Sequence, residues 1–389
     1  MSAPPKTSFL HEPRVRGILY QVLLAVLIAL LAAALVRNVA DNLARNRIAS
    51  GFAFLNAPAG FDISQTLIDY SIHTSTYGRA FWVGFINTLL VAVLGIVLAT
   101  VLGFLIGIAR LSTNWLVARL AGGYVELVRN VPLLLQLLFW YNAVLKALPE
   151  ARDSLLLPGG ALLNNRGLFV PKPLFGAGTE AVALALVAGL LAALVLGMVA
   201  RWRRERTGSG VPAALALTLI VGLPALAALV WRPELRFDVP ELGRFNVRGG
   251  LEVLPEFVAL LFGLVIYTAA FIAEVVRAGI LSVPRGQVEA AYALGLRRAP
   301  TLRLIVIPQA RRVIIPPLTN QYLNLAKNSS LAVAIGYPDF VQIFTGTVLN
   351  QTGQAVEVVA MTLAVYLAIS LATSLFMNWY NARIARTQR

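Results

Sequence analysis

The sequence predicts an all-α integral membrane protein with about eight transmembrane helices. Composition is the first reason: apolar residue types make up 58% of the 389 residues and charged types 13%. Soluble globular domains average about 45–50% apolar residues and about 25% charged residues. The second reason is that apolar runs of about 20 residues, the length that crosses a bilayer as a helix, recur along the chain. A soluble domain of this composition would leave a large apolar surface in water.

Segments long and apolar enough to cross a membrane follow one another along the chain. The first, at 18–36, is predicted to be a retained anchor helix, since no small-x-small cleavage pattern follows it. The seventh is short and contains Pro316, Pro317 and several amides, so we expect a broken or partly buried helix there. The predicted spans are 18–36, 81–109, 123–148, 179–200, 211–231, 255–278, 312–327 and 355–378.

The distribution of Lys and Arg predicts the orientation. With both termini in the cytoplasm, about 18 cations lie in about 85 residues of cytoplasmic segments, against about 11 in about 120 residues on the other side. Cytoplasmic loops of membrane proteins have an excess of Lys and Arg, so this orientation is favoured over its reverse. We therefore expect a multi-pass membrane protein whose termini are both cytoplasmic.

The composition argues against several classes of function. The chain has no Cys and two His, His11 and His73, so we expect no disulfide framework, no metal site and no His-based catalytic triad. The formal charge of +15 is distributed between the apolar runs and not over one basic face, which predicts contact with membrane lipid and not with nucleic acid. No nucleophile is paired with a base in a recognisable constellation, so no catalytic residue is predicted.

The most informative segment is 283–310, with the sequence VPRGQVEAAYALGLRRAPTLRLIVIPQA, in the longest basic loop. Its local chemistry predicts a helix, a turn and a second helix. Pro284 suits the start of the first helix, and the residues at 289–294 propagate it well. Gly295 suits the left-handed conformation that ends a helix, and Pro300 suits the start of the second one. The pair of alanines gives a narrow surface that a groove of another protein can accept.

This segment resembles the coupling loop of ABC-importer permeases, whose pattern is Glu-Ala-Ala, three residues, Gly, nine residues, then Ile-x-Leu-Pro. The matching residues are Glu289, Ala290, Ala291, Gly295, Ile305 and Pro308. The departure is Ile307, which stands where the family has Leu. The resemblance implies that the short helix docks into a cleft of the ATPase subunit and transmits force from ATP binding. An ordinary amphipathic surface loop is the alternative interpretation.

Flanking stretches are similar to the same family. FINTLL at 85–90 and ELVRNVPLLLQL at 126–137 resemble its polar amino-acid branch. So do TAAFIAEVVRAGILSV at 268–283, IPQARRVIIPPLTNQ at 307–321 and KNSSLAVAIG at 327–336. The N-terminal helix and the long insert fit the general L-amino-acid type of permease.

The resemblance implies an organisation in four parts around a type I importer permease core. An N-terminal anchor helix and a periplasmic loop are expected at 1–80, and the first part of the core at 81–148. An insert with periplasmic loops and a peripheral helical hairpin is expected at 149–254. The second part of the core is expected at 255–389, and it includes the coupling loop at 283–310.

The resemblance also implies partners. An ABC importer of this kind combines a dimer of ATPase subunits, a second permease that is a copy or a paralogue, and a periplasmic substrate-binding protein. None of the four Lys stands in a GxxxxGKS or GxxxxGKT phosphate loop, so we expect no cofactor on this chain and ATP and Mg on the partner ATPase. The expected cargo is a polar or general L-amino acid, moved into the cytoplasm across the bacterial inner membrane. A free-standing secondary transporter or channel for small polar solutes is the alternative.

Polar side chains inside the predicted spans mark candidates for the substrate path, because they are costly in a bilayer. Three Asn at 320, 324 and 328 share a helix face, and Lys327 beside them can meet a substrate carboxylate. The alternatives are hydrogen bonds between helices, or pairing of Lys327 with Glu126 or Glu274. The path candidates are Gln136, Asn320, Asn324, Lys327, Asn328 and Ser329.

Two pairs of opposite charge are spaced three residues apart near the predicted cytoplasmic edge. Glu126 precedes Arg129, and Glu274 precedes Arg277, so each pair shares one side of a helix. We interpret both as structural ion pairs, the second of which braces the coupling loop.

Overall fold

A computed structural model describes residues 13–45, 50–207, 212–243 and 246–386. The chain divides into two compact units: Met1–Val131 together with Leu264–Arg389 form the first, and Pro132–Gly263 forms the second. The insert predicted at 149–254 lies within the second unit. His11 lies outside the described residues.

Helices dominate the described residues, as the apolar runs predict. In chain order the α-helices are α1 (Pro13–Arg45), α2 (Tyr77–Ala109), α3 (Trp115–Asn130), α4 (Leu133–Leu138), α5 (Thr179–Thr207), α6 (Ala213–Trp231), α7 (Pro255–Leu281), α8 (Arg285–Ala293), α9 (Arg298–Thr301), α10 (Ile307–Asn328), α11 (Leu349–Thr352) and α12 (Ala355–Arg386). Among the described residues, six helices are long and apolar enough to cross a membrane: α1, α2, α5, α6, α7 and α12. The helical membrane fold is confirmed, with six such helices where about eight were predicted.

The span predicted at 123–148 is not one helix. α3 ends at Asn130, and the chain continues as the short α4 and a π-helical stretch, Phe139–Leu145. The cause is Pro132, which lacks an N–H and disfavours the helical conformation in the residue before it. Val131 is accordingly extended, with φ −104° and ψ 127°. This division was not predicted, although Pro132 is present in the sequence.

The span predicted at 312–327 is more regular than the sequence suggested. α10 runs without interruption from Ile307 to Asn328 and contains both Pro316 and Pro317. One side of it is buried, as expected for a partly buried helix, but the break falls after Asn328, where a 3₁₀ helix, Ser329–Ala334, follows. The prolines therefore do not break this helix, and the two Ser lie after its end.

α2 approaches its neighbours closely through small side chains. A β-carbon added at Gly103 would lie 2.6 Å from Ile272 of α7, and one at Gly107 would lie 2.8 Å from the carbonyl oxygen of Ala273. Small residues at intervals of three or four positions allow helices in a membrane to come this close. The small residues on this face are Ala92, Gly95, Ala99, Gly103 and Gly107.

One end of the first unit contains a group of polar residues that we call the Asp339 cluster: buried Asn87, Thr88, Tyr337 and Asp339, and half-buried Tyr366. Asp339 is 0% exposed and accepts hydrogen bonds from the Tyr366 hydroxyl at 2.9 Å and from the backbone N–H of Gln342 at 2.8 Å. Thr88 Oγ1 accepts from the backbone N–H of Phe340 at 3.0 Å. These bonds join α2, α12 and the segment after α10.

The predicted helical hairpin is present in the second unit. It consists of α5 and α6, while the turn residues 208–211 lie outside the described residues. The two helices touch at Gly189, where an added β-carbon would lie 2.5 Å from the carbonyl oxygen of Leu219. Most of their Ala, Leu and Val side chains are exposed within the unit, as expected for helices that face lipid.

Short strands occupy the loops on both sides of the hairpin, and the all-α prediction omitted them. The strands are β1 (Leu155–Leu157), β2 (Ala161–Asn164), β3 (Gly167–Val170), β4 (Lys172–Phe175), β5 (Leu235–Asp238), β6 (Glu241–Leu242), β7 (Val247–Arg248) and β8 (Leu251–Val253). The four-stranded sheet has the order β1-β2-β3-β8, and β4-β5 and β6-β7 form two-stranded antiparallel sheets. Hairpin signals were present in the sequence, since PGG at 158–160 and NR at 165–166 separate short apolar runs.

Candidate functional site

The segment 283–310 forms the predicted helix, turn and second helix. α8 begins after Pro284, which takes the N-cap position with φ −59° and ψ 134°. Gly295 then adopts φ +78°, and the N–H of Leu296 donates to the carbonyl oxygen of Ala291 at 3.1 Å. This backward bond after a left-handed glycine is a common way to end a helix. α9 begins at Arg298, so Pro300 lies inside its single turn and not at its start.

α8 presents an exposed surface. Glu289, Ala290 and Gly295 are exposed, and Leu294 is 83% exposed, although it is a large apolar residue. Ala291, in contrast, is 3% exposed and faces inward, so the two alanines do not form one smooth surface. Tyr292, Leu302 and Leu304 of the same segment are also exposed, and several exposed apolar side chains in one short segment are typical of a protein contact site.

The second half of this segment is continuous with the long helix α10. α9 passes into a π-helical stretch, Leu302–Val306, and that stretch passes directly into α10. Ile305 is half-buried in the π-helical stretch, and Pro308 is half-buried in the first turn of α10, where its missing N–H costs little. A force applied at α8 and α9 therefore acts on the end of a long helix.

The end of the first unit that contains α8, Arg110 and Arg277 is called the basic end. A carboxylate binds two arginines there. Nη2 of Arg277 lies 2.7 Å from Oε1 of Glu274, as the spacing predicts. Arg110, at the end of α2, binds Oε2 of the same carboxylate. This second partner was not predicted, because Arg110 and Glu274 are 164 positions apart in the sequence. The carboxylate joins the ends of α2 and α7.

The predicted pair of Glu126 and Arg129 is not formed among the described residues. The guanidinium of Arg129 instead lies 5.0 Å from the ring centroid of Phe271. Both charged side chains are exposed, so water competes with an ion pair, whereas an aromatic face still attracts the guanidinium. The prediction of a structural pair at this position is therefore wrong.

An open polar cavity lies between α2, α3 and α7 at the basic end. Its volume is about 450 Å³, and its lining contains groups of both signs. Three of its residues, Glu126, Arg129 and Glu274, were predicted to form structural ion pairs. The lining residues are Arg110, Val125, Glu126, Arg129, Asn130, Phe271 and Glu274.

The path candidates on α10 divide into an exposed group and a buried one. Asn320, Asn324 and Lys327 are exposed, and in the described part of the chain their side chains have neither a hydrogen bond nor an ion pair. Asn328 is half-buried, and the hydroxyl of buried Ser329 donates to the carbonyl oxygen of Ala326 at 2.8 Å.

The two alternatives raised for Lys327 are not seen. Its amine pairs neither with Glu274, which binds two arginines, nor with Glu126 in the described residues. Gln136 is 8% exposed in α4 of the second unit. The structure thus leaves an open polar face on α10 that three of the six candidates share.

The fold and this site define a multi-span membrane protein with an exposed helix–turn–helix joined to the long, partly buried helix α10. Residues 99–386 match the family described as "Binding-protein-dependent transport system inner membrane component". The chain belongs to this family.

Similar proteins cover nearly the whole chain. It is 52% identical over 383 residues to the General L-amino acid transport system permease protein AapQ of Rhizobium johnstonii, covering 98% of this chain and 95% of that protein. It is 52% identical over 378 residues to the Putative amino-acid ABC transporter permease protein YhdX of Escherichia coli, covering 97% and 96%. It is 40% identical over 424 residues to the Glutamate/glutamine/aspartate/asparagine transport system permease protein BztB of Rhodobacter capsulatus, covering 100% and 99%. The resemblance to long permeases of the amino-acid branch is confirmed.

Proposed function

We propose that this chain is the permease subunit of an ATP-driven importer that moves L-amino acids from the periplasm to the cytoplasm. The observation that supports it most is the exposed helix–turn–helix with the Glu-Ala-Ala pattern, joined without a break to α10. The names of three near-full-length relatives, all amino-acid permeases, agree with this function.

In this proposal the basic end faces the cytoplasm, and both termini lie there. The excess of Lys and Arg in the corresponding loops supports this orientation. α8 then docks on an ATPase subunit, with Leu294 and Ala290 at the contact. Because α9 is continuous with α10, closure of the ATPase dimer on ATP tilts α10, and the carboxylate of Glu274 keeps the ends of α2 and α7 together.

The partners follow from the same division of labour. ATP and Mg bind to a dimer of ATPase subunits, because this sequence contains no phosphate loop. A second permease, either a copy or a paralogue, offers the second docking helix that an ATPase dimer requires. A periplasmic protein delivers the substrate to the opposite end.

The open face of α10 is the proposed part of the path in this chain. Every α-amino acid has a carboxylate and an ammonium group, and the amine of Lys327, which has no partner among the described residues, can meet the carboxylate. The side chains of Asn320 and Asn324 offer both donors and acceptors without a fixed charge. Contacts to groups that all amino acids share are compatible with a broad substrate range.

Uptake in proteoliposomes tests the proposal. The complex contains this chain, its second permease and the ATPase, and the binding protein is added on the opposite side of the membrane from the ATPase. Labelled L-amino acids are expected to accumulate on the ATPase side only when ATP is supplied on that side. Vesicles that contain this chain alone are the control and are expected to be inactive. Uptake by the chain alone, driven by an ion gradient, would contradict the proposal and favour a secondary transporter.

A further inference from the structure

A second cavity at the basic end has a different character from the polar one. It lies between α2, α7, α10 and α12, and its volume is about 490 Å³. Its floor is made of buried apolar side chains such as Val276, Ala310 and Leu318. Exposed Ile108 and Phe376 stand at its mouth. All four helices belong to the first unit.

One cation lines this largely apolar cavity, whose other polar groups are the hydroxyls of Thr100, Tyr322 and Tyr380. Arg311, in the second turn of α10, has its Nε atom buried without a hydrogen-bond partner. In the described residues the guanidinium has neither an ion pair nor a hydrogen bond. A buried donor without an acceptor is costly, so an anion at this position would stabilise the protein. The planar guanidinium matches a phosphate group especially well, because it donates two parallel hydrogen bonds.

The cavity lies on the side of α10 opposite the proposed substrate path. Its lining residues on this helix recur at intervals of three or four positions, at 307, 311, 314, 318 and 322, and therefore share one face. At about 100° per residue, Asn320, Asn324 and Lys327 point about 180° away from that face. An amino acid on the polar face would not reach the cavity, so the cavity is not part of the proposed substrate path.

We propose that this cavity binds an acyl chain of an anionic phospholipid, with the lipid phosphate on Arg311. An apolar cavity with an open mouth suits a lipid tail, and a chain that crosses the membrane is always surrounded by lipid. The leaflet is the cytoplasmic one, which is rich in anionic lipids; this point rests on the orientation in the proposed function. A helix of this chain, a second copy or another permease would fill the cavity with side chains and leave the guanidinium without its anion.

Lipid binding to the purified complex tests this proposal. The complete complex in mild detergent is titrated with phosphatidylglycerol and, separately, with phosphatidylethanolamine, and bound lipid is counted by native mass spectrometry. Arg311→Gln is expected to weaken phosphatidylglycerol binding about tenfold, the effect of losing one charge-assisted interaction. The loss should be smaller for phosphatidylethanolamine, because its ammonium group offsets the charge of its own phosphate. Arg312→Gln is the matched control, because Arg312 is exposed and does not line the cavity. Equal binding by wild type and Arg311→Gln, or an equal loss in both variants, would overturn the proposal.

The occupant is identified by a photo-crosslink in membranes. Phe376→p-benzoylphenylalanine places a reactive group at the mouth of the cavity. An adduct with the mass of a phospholipid supports the proposal. An adduct with α1, with a second copy or with another permease would overturn it. Both assays are independent of uptake, so a failure here leaves the transport proposal standing, and the reverse also holds.

Discussion

The two ends of the first unit differ in how far their polar side chains are buried and hydrogen-bonded. In the Asp339 cluster the polar side chains are buried and bind one another or nearby backbone, as when Asn87 donates to the carbonyl oxygens of Gln65 and Pro338, both at 2.9 Å. At the basic end α8 is exposed, and Glu289 has no hydrogen bond or ion pair in the described residues. Most polar groups of the first end are paired within the chain, although Oδ1 of Asn87 is buried without a hydrogen-bond partner. The second end exposes polar and apolar groups that can contact a partner.

This difference indicates which part of the molecule is fixed and which is available to a partner. Buried polar groups that are hydrogen-bonded hold a unique arrangement, and losing one partner is costly. Exposed groups on a short helix contribute little to stability but can contribute to an interface. Substitutions in the Asp339 cluster should therefore reduce stability first, and substitutions on α8 should reduce coupling first.

The largest expected effect is on coupling, at the turn after α8. Gly295→Ala forces a side chain into φ +78°, a conformation that residues with a β-carbon rarely adopt, so the turn is expected to change direction. ATP-dependent uptake in proteoliposomes should fall by about tenfold or more, the effect of misplacing a docking helix. Thermal stability of the solubilised protein should change little, since this residue is exposed.

Gly286→Ala is the matched control for that variant. This glycine lies in the first turn of the same helix, its φ is not positive, and a β-carbon there would meet nothing within 4 Å. Uptake is expected to stay at the wild-type level, and the helix should become slightly more stable. If both variants transported normally, the conformation of the turn would not matter for coupling.

The second effect is on stability, in the Asp339 cluster. Asn87→Ala removes the donor of two hydrogen bonds that join α2 to the loop before it and to the segment after α10. The expected loss is about 2 kcal/mol of the free energy of unfolding, measured as a lower midpoint of thermal unfolding in detergent. Asn350→Ala, at an exposed residue with one local bond, should cost less than about 1 kcal/mol. A loss of equal size in the two variants would mean that burial does not set the cost.

A third and smaller effect is expected where α2 and α7 end. Glu274→Gln keeps the shape of the side chain but removes the charge that binds Arg110 and Arg277. We expect a loss of about 1–2 kcal/mol, since charge-assisted bonds are stronger than neutral ones but this carboxylate is partly exposed. Glu126→Gln, in the same polar cavity but without an ion pair in the described residues, should be neutral. Equal unfolding midpoints for both variants would show that the bridge does not hold these helices.

Local signals explain what the sequence revealed about these two ends. Pro284 and Gly295 act on their immediate neighbours, so the helix–turn–helix was predictable from a dozen residues. The bond from Asn87 to Pro338 spans 251 positions, and no spacing rule reaches that far. Arg110 was missed as a partner of Glu274 for the same reason. The division at Pro132 was predictable, because the residue before a proline disfavours the helical conformation. The high hydropathy on both sides of this proline instead led to the prediction of one continuous span.

The smallest expected effect is on substrate affinity, at the open face of α10. Like the basic end, this face exposes polar groups that can contact another molecule, here the substrate. Lys327→Met keeps most of the length of the side chain but removes the ammonium that is proposed to meet the carboxylate of the amino acid. Because this amine is exposed and has no partner in the described residues, its removal should not alter stability or assembly. The KM for uptake should rise about fivefold, as expected for one exposed charge contact, while the maximal rate changes less. Lys172→Met, on exposed strand β4, is the control and should leave KM unchanged. An unchanged KM in Lys327→Met would show that this residue does not contact the substrate. The proposed path along Asn320 and Asn324 would then contain no cation for the substrate carboxylate.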